Sequence, residues 1–569
     1  MINCAARAQL TVTGRRTRLR ALAGRVRCQR PPRHAKDRRV YLSDRDTAQD
    51  QPSMPIDLIS AIDRQARTRP QAHALGDRQQ WLDYAGLAGR LQGARRALAG
   101  LDLAAGDRVV IWAGKSVDTV VWLLAMLAED IVPAPAHPGL RPEQVDHQLA
   151  RCEARGLLAD RPRLTQYGPS GIDAPWGWWP AGTAKPRPLS EPAALDLPPE
   201  PRDAPRPNPD RLAMLFFTSG STGLPKGVMI SEGNLDAGTR LVADYLGLRP
   251  DDVIAAILPL AFDYGFSQVT TGLSVGAAVY LDDYLLPADL KRPLLRESAT
   301  VLAGTPGLLL PLSRQPWLTE APRLRVLTHS GGSLPVTAVR RLRQARPATE
   351  LFLMYGLTEA FRATFLPPEE VDAHPDSIGY PLAGTTIGVV DADGRLLGAG
   401  QPGQPGQPGE LVQGGPLVAQ GYVNEPEATA KRFRAPPPDW PDKSAERVVF
   451  SGDRVSMDEA GRLYFHGRLD QQIKVAGFRI SPEEVESVAH AAPGVEEAVA
   501  LGEPDPEGGN QRLVLHVAPE AADLESLRRY LRAHLAPYQQ PAAIVVHTAL
   551  PRSANGKFDR RALSATERP

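Results

Sequence analysis

Residues 215–227 read LFFTSGSTGLPKG, and this stretch governs how the rest of the chain is interpreted. Its apolar start predicts a strand, and the loop of hydroxyls and glycines that follows ends in one lysine. Glycines let backbone N–H groups point inward, and hydroxyls and a positive charge add to them, so the loop suits a polyphosphate. It is not a GxxxxGK[ST] loop, because its lysine follows proline and precedes glycine. An ordinary Gly/Ser turn is the alternative; the candidate ligands are Thr218, Ser219, Gly220, Ser221, Thr222, Gly223 and Lys226.

The composition is that of a large globular protein. The chain has 569 residues, 42% of them hydrophobic and 23% charged, and its 66 Lys plus Arg balance 65 Asp plus Glu. At about 100–200 residues per domain, this length predicts several folding units. A net charge of +1 supports neither a nucleic-acid partner nor an anionic membrane partner. The 3 cysteines include no CxxC pair, which argues against disulfide frameworks and metal clusters and favours a cytoplasmic location.

The first 53 residues differ from the rest in charge, with 13 Lys plus Arg against 4 Asp plus Glu. They have no sustained apolar periodicity and no apolar core of the kind that secretory signals contain. We interpret residues 1–53 as a basic, disordered extension. A transit peptide and a nucleic-acid tail are the alternatives.

The remaining chain alternates between strand and helix patterns. Residues 108–112 predict a strand, 120–128 a buried helix that is too short to span a membrane, and 131–134 another strand. This βαβ pattern predicts an α/β fold with parallel strands. Proline-rich residues 161–210 are interpreted as a surface connection with little regular structure, and the repeat QPGQPGQPGE at 401–410 as an elongated turn.

The pattern of strands and helices changes after Gly467, where shorter elements follow one another closely. We therefore predict a large domain of βαβ-type subdomains at 54–469 and a small α+β domain at 471–569.

Residues 215–227 resemble the phosphate loop of the adenylate-forming family, which comprises acyl-CoA synthetases, stand-alone amino-acid adenylation domains and luciferases. Further motifs occur in the family's order, and the resemblance covers nearly everything from Met54 onward. It implies the family's fold with a mobile small domain, ATP and Mg²⁺ as cofactors, and an acyl-adenylate intermediate. The motifs are SGG at 330–332, YGLTE at 355–359, SGD at 451–453, GRLDQQIKVAGFRI at 467–480 and PRSANGKF at 551–558.

The resemblance also implies roles for residues that bind the nucleotide. Thr358 contacts the α-phosphate and Glu359 holds Mg²⁺, a cation that prefers one or two carboxylates plus phosphate oxygens. Asp453 accepts hydrogen bonds from both ribose hydroxyls, and Arg468 contacts ribose or phosphate. The segment that lies against adenine is Ser330, Gly331 and Gly332, and the YGLTE motif adds Tyr355 and Gly356.

Three residues near the end of the chain receive their roles from the same resemblance. Asp470 is the hinge between the domains, and Gly477 lets the pantetheine arm of a thiol approach. Lys557 is the catalytic lysine, a positive charge aimed at the developing charge on the α-phosphate and the substrate carboxylate.

The activated acid is indicated only in part, by residues 258–266, LPLAFDYGF. In family members that activate amino acids, an aspartate at the position of Asp263 binds the substrate ammonium. Tyr264 departs from the usual continuation of that motif, and a structural aspartate is the alternative. Arg362 is a further candidate for the acid pocket and could pair with a second acidic group.

Three hypotheses follow. The first is an AMP-forming acid–thiol ligase that makes a thioester with CoA. The second is a stand-alone adenylation enzyme that loads an amino acid onto the phosphopantetheine of a separate carrier protein, since the chain ends soon after Lys557. The third is a non-catalytic nucleotide-binding protein. Each predicts a small-molecule carboxylic acid or nucleotide as ligand, no nucleic acid and no stable membrane insertion.

Overall fold

The computed structural model describes part of the chain in detail. The described ranges are 40–42, 58–168, 174–182, 187–190, 208–218, 225–401, 406–469, 473–475, 478–480, 482–504, 511–519, 523–535, 539–553 and 556–565.

Strands and helices contribute about equally to the described residues, and the strands form several sheets. The strands are β1 (Val40–Leu42), β2 (His73–Gly76), β3 (Trp81–Asp83), β4 (Arg108–Trp112), β5 (Val132–Ala136), β6 (Gly156–Asp160), β7 (Trp176–Pro180), β8 (Arg187–Leu189), β9 (Leu212–Thr218), β10 (Lys226–Ser231), β11 (Val253–Ala256), β12 (Ala278–Leu281), β13 (Val301–Gly304), β14 (Val326–His329), β15 (Glu350–Tyr355), β16 (Thr364–Leu366), β17 (Ser377–Pro381), β18 (Thr386–Val390), β19 (Gly409–Gly414), β20 (Gly421–Tyr422), β21 (Phe433–Arg434), β22 (Val448–Met457), β23 (Leu463–Arg468), β24 (Ile473–Val475), β25 (Phe478–Ile480), β26 (Glu497–Pro504), β27 (Gln511–Ala518) and β28 (Ala543–Val546).

Helices connect and cover these strands. They are α1 (Leu58–Thr68), α2 (Tyr84–Ala99), α3 (Val117–Ala128), α4 (Pro142–Arg151), α5 (Arg161–Tyr167), α6 (Glu232–Tyr245), α7 (Asp263–Val275), α8 (Pro306–Leu312), α9 (Val336–Ala345), α10 (Pro426–Arg432), α11 (Pro482–Ala491), α12 (Leu524–His534) and α13 (Arg560–Ala565). Within the described ranges, none of them is both long enough and apolar enough to cross a bilayer.

The parallel part of the largest sheet determines where functional side chains can lie. Among the described residues this mixed sheet has 15 strands, and β2, β12, β11, β13, β14 and β15 form its parallel part. Antiparallel strands from β16 to β1 continue it on one side. The carboxyl ends of the parallel strands therefore meet at one edge, which is where open α/β sheets bind ligands.

A second sheet contains the βαβ unit that the sequence predicts. Strand β4 pairs in parallel with both β5 and β6, and α3 connects β4 to β5. Helix α3 is apolar on nearly all sides, and it is buried in a hydrophobic core to which α2 and strands of both larger sheets contribute, where Trp122 and Leu123 are fully enclosed. The predicted α/β class is confirmed.

The last hundred residues contain a smaller sheet with its own hydrophobic core. Strand β27 pairs antiparallel with β26 and parallel with β28, and helices α11 and α12 supply apolar residues to the same core. The boundaries 54–469 and 471–569 remain predictions. The proposed hinge, Asp470, lies outside the described residues.

Two predictions about irregular segments are wrong in part. Residues 161–210 contain α5, β7 and β8, because the tryptophans of WGWW at 176–179 give β7 an apolar face that buries Trp176 and Trp178. Within the supposed extension 1–53, Val40–Leu42 pair antiparallel with β18. Of the turn predicted at 401–410, residues 402–405 lie outside the described residues.

Lys115 links the two larger sheets at the end of β4. Its Nζ donates to the backbone carbonyl of Asp282 at 2.7 Å and lies 3.2 Å from Oδ1 of Asp283, and both aspartates directly follow β12. Burial lowers the pKa of Lys115 to about 8, although the negative charge of Asp283 opposes this shift.

We expect the unfolding free energy of the wild type to rise, relative to that of Lys115→Met, between pH 8 and 10.5. In this window the unfolded lysine keeps a proton that the folded lysine has lost, so stability increases with pH. The expected gain is about 3 kcal/mol, because one pKa unit corresponds to about 1.4 kcal/mol. Urea unfolding of both proteins at pH 7, 9 and 10 measures it, and a pH-independent difference would contradict the buried position of Lys115.

Candidate active site

Four neighbouring parallel strands deliver the candidate residues to one edge of the large sheet. Asp263 follows β11, Thr305 follows β13, Ser330 follows β14 and Thr358 follows β15. Because the carboxyl ends of β11, β13, β14 and β15 lie side by side, residues far apart in sequence become neighbours. The Thr358 hydroxyl accordingly donates to Oδ1 of Asp263 at 3.2 Å.

Tyr264 follows Asp263 on α7 and points toward β14. Its hydroxyl lies 2.7 Å from Oγ1 of Thr328, and burial raises the pKa of Tyr264 to about 12. Arg362 stacks over its ring with the guanidinium carbon 4.4 Å from the ring centroid, and Nη1 of this arginine lies 3.3 Å from Oδ2 of Asp263. The predicted substrate residues therefore form one cluster with Thr358 and Arg362.

Asp453 is held by two partners that strand pairing brings to it. The register of β22 and β23 places Asp453 opposite Arg468, whose Nη1 lies 3.0 Å from Oδ1 of the aspartate. From the end of β15, the Tyr355 hydroxyl donates to Oδ2 of the same carboxylate. Burial, with the charge of Asp453 adding to it, raises the pKa of Tyr355 well above its ordinary value. Tyr355, Asp453 and Arg468, predicted separately, lie together.

Glu359 and Lys226 are connected through Tyr422. The Tyr422 hydroxyl donates to Oε1 of Glu359 at 2.6 Å, and Nζ of Lys226 lies 5.1 Å from the centroid of the Tyr422 ring. Lys226 also lies 3.8 Å from Oε2 of Glu425. The β9–β10 register places Thr218 opposite Lys226, so both ends of the predicted phosphate loop are fixed. Ser219, Gly220, Ser221, Thr222 and Gly223 lie outside the described residues.

Glu359 offers a single carboxylate to a divalent cation. Mg²⁺ usually takes one or two carboxylates and completes its shell with water and phosphate oxygens. Within the described ranges, no group of three or more His, Cys, Asp or Glu side chains forms a ready-made metal site. This donor set fits a cation that arrives with a nucleotide.

The segment predicted to lie against adenine follows β14. Gly331 and Gly332 have φ angles of +86° and +155°, a region that L side chains rarely adopt, so glycine is required at this turn. Ser330 is buried, whereas Gly332 is exposed. Gly356 is required for space, because a Cβ there would lie 2.7 Å from the carbonyl oxygen of Phe361.

Lys557, which follows the last strand of the smaller sheet in sequence, lies near this cluster. Its side chain keeps accessible surface, yet surrounding protein atoms remove enough water to lower its pKa. The negative charges of Asp263 and Asp453 oppose this shift, and the positive charge of Arg468 adds to it. Lys557 therefore lies within the electrostatic field of both predicted carboxylates. Gly477 lies outside the described residues.

The loop that carries Lys557 packs against the start of α8. A Cβ on Gly307 would lie 2.1 Å from the carbonyl oxygen of Gly556, so no other residue fits at position 307 in this arrangement. Just after α8, Arg314 donates to the carboxylate of Glu496 and, at 3.3 Å, to its backbone carbonyl. The contact at Gly556 sets the lysine loop against α8, and the contacts of Arg314 hold the residue before β26 near the same helix.

Sequence reasoning missed several of these residues. Tyr422 lies 63 positions from Glu359, and Arg432 places its Nε 3.9 Å from Oε1 of the same carboxylate. Gly307 was missed because its partner, Gly556, is distant in sequence. The segment GYVNEPEATAKR at 421–432 has aromatic and charged residues, but no spacing that relates it to Glu359.

Comparisons with known proteins identify the family to which the chain belongs. A model of the AMP-binding enzyme family matches residues 62–423, and a model of the AMP-binding enzyme C-terminal domain matches residues 484–557. The chain belongs to the adenylate-forming, AMP-binding enzyme family. This membership confirms the resemblance drawn from the motifs.

Relatives within the AMP-binding family include peptide synthetases and a smaller ligase. Tyrocidine synthase 3 of Brevibacillus parabrevis is 31% identical over 89% of this chain and 8% of the synthase. The L-proline--[L-prolyl-carrier protein] ligase of Streptomyces coelicolor is 30% identical over 86% of this chain and 92% of the ligase. The chain spans 8% to 38% of the length of three of the larger synthetases that it matches.

A solved structure extends the likeness to the fold. Holo-AB3403, a four-domain nonribosomal peptide synthetase bound to AMP and glycine, aligns with a TM-score of 0.75 at 26% identity. The alignment covers 90% of this chain and 36% of that one. The adenylate-forming enzyme fold predicted from the sequence is confirmed.

Proposed function

We propose that this chain is an AMP-forming acid–thiol ligase. The observation that supports this most strongly is the position of Lys557, which enters the fields of Asp263 and Asp453 at the edge of the parallel strands. A carboxylate oxygen of the substrate attacks the α-phosphorus of ATP, pyrophosphate leaves, and an acyl-adenylate results. A thiolate then attacks the acyl carbon, and AMP leaves as the thioester forms.

The residues of the cluster divide this work between them. Asp453, oriented by Tyr355 and Arg468, accepts the ribose hydroxyls, and Lys226 lies where it can neutralise phosphate charge. Lys557 stabilises the negative charge that develops as the α-phosphate is attacked. Mg²⁺ held by Glu359 would supply further neutralisation of the polyphosphate.

The thiol is the phosphopantetheine of CoA or of a carrier protein. Among the relatives, the S. coelicolor protein carries the name of a carrier-protein ligase and is matched over 92% of its length, which supports the carrier. The same relative favours a second candidate function, the loading of an amino acid onto such a carrier.

The test of the proposed function measures both half-reactions. ATP–pyrophosphate exchange over a panel of acids reports adenylation, and radiolabelled acid then reports transfer to CoA, to a holo carrier protein or to the matched apo carrier without phosphopantetheine. We expect exchange with at least one acid and transfer to CoA or holo carrier but never to apo carrier. Absence of exchange with every acid would contradict the proposal.

Asp453→Asn is expected to raise the Kd of ATP about 10–100-fold, since hydrogen bonds to charged groups contribute about 1.5–3 kcal/mol. Calorimetric titration of ATP, 2′-deoxy-ATP and 3′-deoxy-ATP measures this effect. The wild type should lose affinity for both deoxy nucleotides, whereas Asp453→Asn should bind all three alike. Asp442→Ala, which removes a surface aspartate that interacts with Ser444, is the matched control. Equal discrimination by wild type and variant would refute the ribose role.

A further inference from the structure

The guanidinium of Arg362 is buried beside the candidate acid site and only partly satisfied. Its Nη1 contacts Asp263 at 3.3 Å and donates to the carbonyl of Phe361 at 2.9 Å, but within the described ranges Nε and Nη2 have no hydrogen-bond partner. The Tyr245 hydroxyl, which donates to the sulfur of Met354 at 2.8 Å, interacts with the guanidinium through charge and a side-chain hydrogen-bond contact, but it does not come within full hydrogen-bonding geometry of Nε or Nη2. A buried N–H without an acceptor is costly, so these donors point to an acceptor supplied by a ligand.

A second unpartnered polar group lies on the same side of α7. Gln268 is one helical turn after Tyr264, the residue over which Arg362 stacks, and positions four apart share a helix face. Gln268 is buried, and among the described residues neither atom of its amide has a partner. Phe361, which precedes Arg362, has a φ of +53°, a strained value of the kind that recurs at functional sites.

The charges around Asp263 disfavour an ammonium group on the substrate. Asp263 already faces the guanidinium of Arg362 and the charge of Lys557, and it accepts from the Thr358 hydroxyl. Its carboxylate is also at the start of α7, where the helix dipole is positive. A substrate ammonium would be a third cation beside one carboxylate, whereas an anionic group would be attracted by the surplus positive charge.

We propose that Arg362 and Gln268 select a carboxylic acid that lacks an α-ammonium and carries a second carboxylate, which binds the Nε and Nη2 edge of Arg362. This inference rests on the proposed function and names its substrate class. A planar guanidinium offers two parallel N–H donors to a carboxylate, and the unpartnered amide of Gln268, one helical turn after Tyr264, adds an N–H donor on the same helix face. Asp263 then neutralises Arg362 and Lys557 and does not bind substrate ammonium.

The test uses ATP–pyrophosphate exchange with acids matched in carbon number. Each set from four to eight carbons contains an unsubstituted acid, its α,ω-dicarboxylic acid and its α-amino acid, for example butanoate, succinate and 2-aminobutanoate. For the best set, we expect kcat/KM of the wild type to be at least about tenfold higher for the diacid than for the other two, as one charged hydrogen-bonded pair implies.

Variants identify the residue responsible. Arg362→Met should reduce the diacid preference to about unity while exchange with the unsubstituted acid persists, and Arg362→Lys should restore part of the preference. Arg343→Met, at an arginine on α9 that pairs with Asp372, should leave the ratio unchanged. Melting temperatures of all variants show whether each one folds.

The possible results separate this inference from the proposed function. Preference for the α-amino acid or the unsubstituted acid in every set would overturn the inference while supporting adenylation. An unchanged preference for the diacid in Arg362→Met would also overturn the inference. Arg362 would then not bind the second carboxylate, and water would satisfy its guanidinium in the wild type. Absence of exchange with every acid would overturn the proposed function, and this inference with it.

Discussion

Lys557→Met is expected to slow acyl-adenylate formation about 10²–10³-fold, the cost of removing one preorganised donor from developing charge. The variant loses the positive charge that lies in the fields of Asp263 and Asp453. Single-turnover formation of the adenylate measures the effect, and the acid is the one that supports exchange. Transfer of the acyl group from supplied acyl-adenylate to the thiol should change little, because that step breaks the bond between the acyl carbon and the AMP oxygen. The bonds to phosphorus stay intact, so no pentavalent phosphorus develops that Lys557 would stabilise.

The control for this experiment is Lys443→Met, which removes an exposed lysine that donates to the carbonyl of Pro438. It should leave both half-reactions intact. Equal losses in adenylation and transfer by Lys557→Met would assign this lysine to the general stability of the fold and contradict its catalytic role.

Gly307→Ala is expected to produce the second largest effect, a loss of adenylation that approaches that of Lys557→Met. The added Cβ would lie 2.1 Å from the carbonyl oxygen of Gly556, a distance that real Cβ atoms do not show. The loop that carries Lys557 must therefore withdraw from α8. Because the substitution acts through the position of Lys557, adenylation should fall while transfer from supplied acyl-adenylate persists.

Gly398→Ala is the matched control for this substitution. A Cβ at Gly398 meets nothing within 4 Å, so both half-reactions and the melting temperature should equal those of the wild type. If Gly307→Ala lowered both half-reactions together with the melting temperature, its effect would be one on the stability of the fold and not on the position of Lys557. If the variant formed the adenylate as fast as the wild type, the account of the lysine loop would be wrong.

Local sequence patterns predict the strands but not all of their partners. The run RVVIW at 108–112 corresponds to β4 without any shift, because β-branched and aromatic residues between polar boundaries are strong strand signals. The proline-rich stretch hid β7, whose tryptophans depend on burial against neighbouring strands. No local signal predicts that β1 pairs with β18, a contact between distant parts of the chain.

The candidate site shows the same division. Thr358, Asp263 and Ser330 could be proposed because their motifs resemble those of the adenylate-forming family. Their proximity follows from the fold, since residues that come after neighbouring parallel strands collect at one edge of the sheet. Strand order and register, which no motif encodes, bring together Tyr355, Asp453 and Arg468. The orphaned donors of Arg362 appear only when every neighbour of its side chain is known.

The central claim is that Lys226 and Lys557 serve one nucleotide site, and lysine footprinting tests it without knowledge of the acid. Native protein is labelled with acetic anhydride in the presence and absence of ATP and Mg²⁺, and each lysine is quantified by mass spectrometry. Lys557 should react readily in the free protein, because its lowered pKa leaves more of the amine unprotonated. The account predicts that nucleotide protects Lys226 and Lys557 but neither Lys291 nor Lys443. Unchanged labelling of Lys226 and Lys557 at saturating nucleotide would contradict it.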